Sequence, residues 1–207
     1  MLSLPFREYL SDMTDEDLVR RAVGGDQAAL LLLYERHRRA VFQVAYRLTG
    51  SHEDAVDIAH DCFMTLIREP GRFDPTRASL RTYLLAITRN LSVSHHRRTR
   101  RQTNLDAVDE AEQGRAPHDP QTQAIRRDLA RHVRSAVLAL PAMQREAIVL
   151  VEYEGLTIAE AAAVVGADLG AVSARLHRAR AALRQKLSTL LRHSAGASHR
   201  KLERHHE

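Results

Sequence analysis

The sequence predicts an all-α protein of two helical domains joined by a flexible acidic linker. Three observations point there. Apolar residues make up 44% of the 207 positions but aromatic residues only 4%. The apolar stock is therefore mostly Ala, Leu and Val, of which Ala and Leu favour helix strongly and Val less so. Nine Gly and six Pro are too few for the many turns of a β-protein. Apolar residues also recur at intervals of three and four, the period of a helix with one buried face.

The elements follow in order. In an N-terminal block, about 12–101, Leu30, Leu33, Tyr34, Val41, Ala45 and Leu48 mark a helix that Gly50 breaks. Ala55, Ile58, Cys62, Phe63 and Leu66 mark the next. Pro70, Gly71 and Pro75 make a loop, and Leu80, Leu84, Ile87 and Leu91 mark a third helix that runs into an arginine cluster. Three or more helices of this size can bury one shared core. Residues 102–124 carry five acids against one arginine, with Gly114, Pro117, Pro120 and no apolar period. They read as a linker without packed structure. In a C-terminal block, 125–191, Leu129, Val133, Val137 and Leu140 give one helix and Met143 to Tyr153 another, ended by Gly155. Thr157-Ile-Ala-Glu160 is a capping box that opens a helix with Ile158, Ala161, Ala162 and Val165 on its buried face. Gly166 supplies the turn. Leu169, Val172, Leu176, Ala179, Leu183, Leu187 and Leu190 then form the stripe of a long helix that carries arginines outside it. The tail, 192–207, is rich in His and Arg and reads as disordered.

Charge and composition narrow the function. A net charge of +5 and a pI near 9.9 suit a polyanionic partner. No apolar run approaches the roughly 20 residues of a membrane span, and Met1 to Leu10 lacks the pattern of a signal peptide. The expectation is a cytoplasmic protein. A single cysteine, Cys62, excludes an internal disulfide or a CxxC zinc site. His95 and His96 are adjacent and cannot share one helix face. There is no HExxH, no nucleophile-base pair and no phosphate loop, so neither a metal, a cofactor nor an enzyme activity is expected.

A short capped helix, a tight turn and a longer basic helix have the geometry of a helix-turn-helix. Ala161, Ala162 and Ala163 let its two helices approach closely. The start of the second helix offers Asp168, Ala171, Ser173 and Ala174 toward base edges, and Arg175 can reach a guanine or a phosphate. Arg178, nearly one turn further on, is better placed for the DNA backbone. The plain alternative is a helical hairpin with a solvated basic face. The cluster Arg97, Arg98, Arg100, Arg101 is a second candidate for phosphate contacts, or else a charge run that complements a helix end.

Glu146-Ala-Ile-Val-Leu through Glu154-Gly-Leu-Thr-Ile-Ala-Glu-Ala-Ala, followed by Val172-Ser-Ala-Arg-Leu-His-Arg-Ala-Arg180, closely resembles the C-terminal DNA-binding domain of bacterial sigma factors of the extracytoplasmic-function (ECF) group. The N-terminal block resembles their sigma-two domain. The residues that carry this are Gly25-Asp26 with Ala29, Leu33-Tyr34, Ala45-Tyr-Arg-Leu-Thr-Gly50, Asp54-Ala-Val-Asp-Ile58, Asp61 with Phe63, Arg72-Phe-Asp-Pro75 and Tyr83-Leu-Leu-Ala-Ile-Thr-Arg-Asn90.

The resemblance implies a sigma factor that binds core RNA polymerase, recognises the minus-ten and minus-thirty-five elements of promoter DNA and promotes melting. It implies that 12–101 binds polymerase and the minus-ten element, and that 125–191 reads the minus-thirty-five element as duplex. The acidic linker would thread a basic channel of the polymerase. Asp54, Asp57 and Asp61 match the helix that binds polymerase. Arg77, Arg81, Tyr83, Arg89, Asn90, Arg97 and Arg98 fall on the segment that opens the minus-ten element, where an aromatic platform and cations are needed. The group is commonly held by an anti-sigma factor. There are departures: Tyr83 stands where Trp is usual, Ser94 where Asp is common, and Ala171, Ser173 and Ala174 replace Thr, Lys and Ser. These put the promoter sequence in doubt. The alternative is a conventional helix-turn-helix regulator acting without replacing sigma.

Overall fold

A computed structural model describes residues 12–102 and 120–203; among them there is no strand. The first helix among the described residues, α1 (Asp15–Val23), is one the apolar pattern alone does not mark. It is too short for a long stripe, and only Leu18 and Val19 are buried. Its local chemistry is nonetheless explicit. The Thr14 hydroxyl accepts from the Asp17 N–H at 3.3 Å. Asp15, Glu16 and Asp17 in the first turn and Arg20 and Arg21 in the last complement the helix dipole.

α2 (Gln27–Thr49) opens on Asp26, whose carboxylate accepts from the N–H groups of Ala28 and Ala29 at 3.0 and 3.2 Å. The Ala29 bond, with help from the Arg21 guanidinium, holds the Asp26 carboxyl below its usual range. Gly50 ends α2 at φ 82°, a conformation that favours glycine. A Cβ there would also stand 3.0 Å from Leu138 Cδ1. α3 (His52–Arg68) is capped by the Ser51 hydroxyl. A short 3-10 turn at Pro70–Arg72 leads to α4 (Leu80–Gln102). α2 lies in the middle and packs against α1, α3 and α4. Leu18, Leu33, Val41, Phe63, Leu66, Leu80 and Leu84 fill the space between them. Tyr34, expected in the α2 stripe, is 42% exposed and meets Phe63 edge-on at 5.0 Å.

The second block starts with α5 (Pro120–Leu138), ahead of the boundary at 125 drawn from sequence. Proline suits a first helical turn, where its missing N–H has no intrahelical role. The rest of the acidic linker, 103–119, lies outside the described residues. α6 (Ala142–Ile148) does not run on to Gly155 as an α-helix. It widens into a π-turn over Val149–Tyr153, with the Glu154 N–H donating to the Val149 carbonyl at 3.1 Å. No residue pattern announces such a turn. α7 (Ile158–Val165) and α8 (Leu169–Glu203) follow.

The apolar stripes need four corrections. Leu129, Ile158 and Leu169 are 52%, 36% and 56% exposed, and Val164 rather than Val165 is among the buried side chains of α7. Ile158 and Leu169 are the first residues of their helices and overhang the contact. Leu129 precedes the part of α5 where burial begins, at Ala136 and Val137. Ala163, expected at the helix contact, is exposed. The helix α8 also continues past 191 to Glu203, where the tail was expected to be disordered. No proline interrupts that stretch, and its Ala, Arg, Lys and Leu residues all tolerate helix.

The two blocks pack on one another. α4 lies against α7, while α2 touches α5, α6 and the π-turn. Val44 and Leu85 of the first block are fully buried in the core of the second, beside residues such as Val137, Ile148, Leu150 and Leu176.

Candidate nucleic-acid and partner interfaces

The helix-turn-helix is fixed by local bonds. The Glu160 N–H donates to the Thr157 hydroxyl at 3.2 Å, and the Thr157 N–H returns to Glu160 Oε2 at 2.8 Å. The Thr157 N–H and then the Thr157 hydroxyl, both donating to Oε2, hold the Glu160 carboxyl below its ordinary range. Gly166 turns the chain at φ 64°, ψ 44°. Asp168 Oδ1 accepts the Ala171 N–H at 2.7 Å. That carboxylate therefore serves the start of α8, a role the sequence reading did not give it. Ala161 and Ala162 are buried against α8, whose Val172, Leu176 and Ala179 face them.

On the outer side of α8, Ser173, Ala174 and Arg178 are exposed, while Ala171 and Arg175 are half-buried. Arg180 is drawn off to Glu152, its Nε donating to Oε1 at 2.8 Å.

The residues expected at the minus-ten element do not share one face. Arg77 and Asn90 are exposed. Tyr83 is half-buried, its ring tilted against Phe73 at 5.5 Å, and burial pushes its hydroxyl above the usual phenol range. Arg98 lines a groove between α3 and α4 together with Asp57, Ile58, His60, Asp61, Leu91, Ser94 and His95. The Arg97 side chain lies outside the described residues. Asp57 and Asp61 are exposed on one face of α3, as their spacing requires. Asp54 is half-buried with its carboxylate 3.5 Å from His95 Nδ1. The groove thus brings together acids assigned to polymerase and an arginine assigned to DNA.

Arg81 and Arg89 point the other way, into the seam between the blocks. Arg81 Nη2 donates to Glu154 Oε2 at 2.6 Å, and its Nη1 donates to the Glu154 carbonyl at 3.0 Å. Arg89 holds Glu146 Oε2 through Nε and Nη2 at 2.9 and 2.8 Å. The two carboxylates are only 4% and 6% exposed. Burial raises the Glu154 pKa, against the pull of Arg81 and then Arg47. Arg47 approaches Glu154 at 3.6 Å and lies over the Tyr153 ring at 4.4 Å.

Two arginines cross the seam in the opposite direction. Arg134 donates to the Gly50 carbonyl at 2.7 Å and sits 4.1 Å over the Tyr46 ring. Arg145 donates to the Leu48 carbonyl at 2.7 Å and also to the carbonyls of Leu138 and Leu140. It satisfies acceptors at the ends of α2 and α5 that have no intrahelical donor, and burial lowers its pKa.

The sequence reading missed this seam. Its one available signal was a pair of acids, Glu146 and Glu154, beside the apolar run 147–151. Such carboxylates need partners if the run is buried. Among the described residues no group of three side chains suited to a metal ion occurs, and no helix is long and apolar enough to cross a membrane.

Comparison with known proteins adds a second line of observation. Residues 33–102 match the family model described as Sigma-70 region 2, and residues 131–183 match that described as Sigma-70, region 4. The chain is 32% identical over 195 residues to the ECF RNA polymerase sigma factor SigE of Mycolicibacterium smegmatis, across 87% of this chain and 75% of that protein. It is 30% identical over 188 residues to the ECF RNA polymerase sigma-E factor of Escherichia coli K12, across 87% and 97%. Among solved structures, it is similar to CnrH in complex with the cytosolic domain of CnrY, with a TM-score of 0.63 and 31% identity over 84% of this chain and 97% of that one. It also matches the sigma factor RpoE bound to the anti-sigma factor NepR from Bartonella quintana, at TM-score 0.60 and 26% identity over 73% and 91%.

Proposed function

This chain belongs to the ECF group of RNA polymerase sigma factors, and from that membership we propose how its two blocks divide the work of transcription initiation. The N-terminal block, 12–101, binds core polymerase through Asp54, Asp57 and Asp61 and opens the minus-ten element. The C-terminal block, 125–191, reads the minus-thirty-five element as duplex. Sigma factors are not enzymes in the catalytic sense, and this reading gives the chain no bond-making step of its own.

The observation that carries the division is the pair of surfaces the fold leaves open. α8 turns Ser173, Ala174 and Arg178 to solvent near the start of the second helix of a capped helix-turn-helix, the part that enters a major groove in this motif. With two small side chains at the tip, α8 can approach the bases closely. Arg175 then supplies a base contact and Arg178 a phosphate contact. On the other block, α3 presents Asp57 and Asp61 on one exposed face, a negative stripe suited to a basic partner surface.

Melting needs an aromatic platform and cations along the displaced strand. Tyr83, Arg77, Asn90, Arg97 and Arg98 lie on the segment assigned to that step, as do Arg81 and Arg89, which here are held by Glu154 and Glu146. An anti-sigma protein is a further partner in this reading, supported by the complex of the similar Bartonella quintana sigma factor with NepR. The place of action is the cell interior, with polymerase. A conventional helix-turn-helix regulator is not favoured, because region 2 and region 4 both match, in order.

The decisive experiment is a titration of core polymerase with the wild-type chain and with Asp57→Lys/Asp61→Lys. Reversing both charges is expected to weaken polymerase binding by about tenfold or more, since close charge pairs couple strongly across interfaces, while the circular dichroism spectrum stays helical. An unchanged affinity would remove these two residues from the polymerase surface.

A further inference from the structure

The ion pair between Glu152 and Arg180 lies wholly within the C-terminal block. Arg180 stands on a ridge of α8 with Ser173, His177 and Arg184, at spacings i, i+4, i+7 and i+11 that line side chains along one face. All four are exposed. The ridge is continuous with the face that meets the duplex, and a guanidinium on it has the donors to take a DNA phosphate. Arg180 instead turns back. Its Nε donates to Glu152 Oε1 at 2.8 Å, and its Nη2 donates to the same oxygen. Glu152 comes from the widened turn over Val149–Tyr153, 28 residues earlier in the chain. Turns of that kind fit an extra residue into a helix and often mark functional positions. The two side chains remain 48% and 41% exposed, and an ion pair so open to water adds little to the stability of a fold. What it does decide is where the charge points.

We propose that Glu152 is a specificity-determining residue: it holds the Arg180 guanidinium off the DNA backbone, so that α8 meets a duplex with one cation fewer than its sequence carries. This rests on the reading of α8 as the helix that binds duplex DNA. A phosphate contact carries no sequence information and strengthens binding to every duplex. Non-specific sites outnumber a promoter by many orders of magnitude, so a contact that any duplex can satisfy draws the chain toward bulk DNA. With Arg180 withheld, more of the binding is left to Ser173, Ala174, Arg175 and Arg178 near the start of α8, where a base edge can be told from its neighbours. The acid that does this touches no DNA itself. It acts through the arginine it holds.

The test titrates the full chain onto a fluorescent mixed-sequence duplex of about 20 base pairs, at salt concentrations from about 50 to about 200 mM. Glu152→Gln is expected to bind roughly five- to tenfold tighter at about 0.1 M salt and to steepen the salt slope by about 0.9, the counterion release of one phosphate. Arg180→Gln is expected to keep the wild-type slope, because its charge is already withheld. Glu152→Gln/Arg180→Gln is expected to return to that same slope. An unchanged slope in Glu152→Gln overturns the proposal and leaves the pair as a tie between α8 and the widened turn. Equal steepening in the double variant overturns it too, since the gain then comes from removing a negative charge and not from Arg180. A shallower slope in Arg180→Gln alone also overturns it, because Arg180 then reaches a phosphate despite Glu152; this arm decides the matter even if Glu152→Gln fails to fold. The reading of α8 fails separately: Arg178→Ala would then keep the wild-type affinity and slope.

Discussion

The N-terminal block and the helix-turn-helix hold their helices together with different side chains. Between α1, α2, α3 and α4 the buried residues are mostly large: Leu18, Leu33, Phe63, Leu66, Leu80 and Leu84. Between α7 and α8 the contact rests on Ala161, Ala162 and Ala179, with Val172 and Leu176 around them. The first arrangement fills a wide space between long helices. The second brings two backbones close, so the angle of the recognition helix is set by the absence of side-chain bulk. The two regions should therefore be fragile to opposite substitutions.

That difference gives the largest expected effect. Leu84 is fully buried, so Leu84→Ala removes packed atoms and leaves a cavity, at a cost of about 2–5 kcal/mol. Ala161 is equally buried, but Ala161→Leu forces bulk into a close contact and costs about 1–3 kcal/mol. Denaturant unfolding of both variants measures this directly. The Ala161 variant is also expected to lose duplex DNA binding, because α8 is pushed off its angle. If Ala161→Leu is as stable as wild type, the small-residue contact does not fix that helix.

The next effect sharpens the comparison within α8. Arg175 is half-buried near the start of the helix and Arg178 is exposed one turn on. Arg175→Ala is expected to cost about 1–3 kcal/mol of duplex binding and to relax preference at one base pair. Arg178→Ala is expected to weaken all sequences alike and to lower the salt slope by about one unit. Selection of minus-thirty-five variants against each protein separates the two. An Arg175 variant that retains the wild-type preference throughout would leave both arginines on the backbone.

The smallest effect concerns the cap that starts the helix-turn-helix. Thr157→Ala is expected to cost about 1 kcal/mol at neutral pH. The Glu160 half of the cap carries its own pH dependence. Its carboxyl lies below the ordinary value of 4.5 because the Thr157 N–H and hydroxyl donate to it. A carboxyl lowered by folding contributes stability that is complete above its unfolded pKa and is lost as pH falls through the folded one. Glu160→Gln should therefore be less stable than wild type at pH 7, with the gap closing below about pH 4. Thermal midpoints at the two pH values decide this; a gap that persists in acid places the stabilisation elsewhere than the charge.

Local chemistry was readable because it acts over three or four residues. Thr157 and Glu160, Gly50 and Gly166 all lie where they stop or start a helix, and the sequence marks each of them. The short α1 escaped the apolar pattern although Thr14 and Asp17 carried the same kind of signal. The π-turn at Val149–Tyr153 had no signal of its own. Among the exposed DNA and polymerase candidates, Asp57, Asp61, Ser173, Ala174 and Arg178 lie on the outer faces that helical spacing predicts.

By itself, then, the sequence determined an all-helical chain, most of its helix ends, the helix-turn-helix and membership of the sigma-factor family. The first three depend on composition or on neighbours within a turn or two; the family rests instead on the resemblance of motifs spread over both blocks. Only the tertiary structure decided which arginines are free. Arg89 finds Glu146 across 57 residues and Arg81 finds Glu154 across 73, pairings that no helical period encodes. They exist because Val44 and Leu85 are buried in the core of the other block, and that packing brings acids and guanidiniums together where little water remains to separate them.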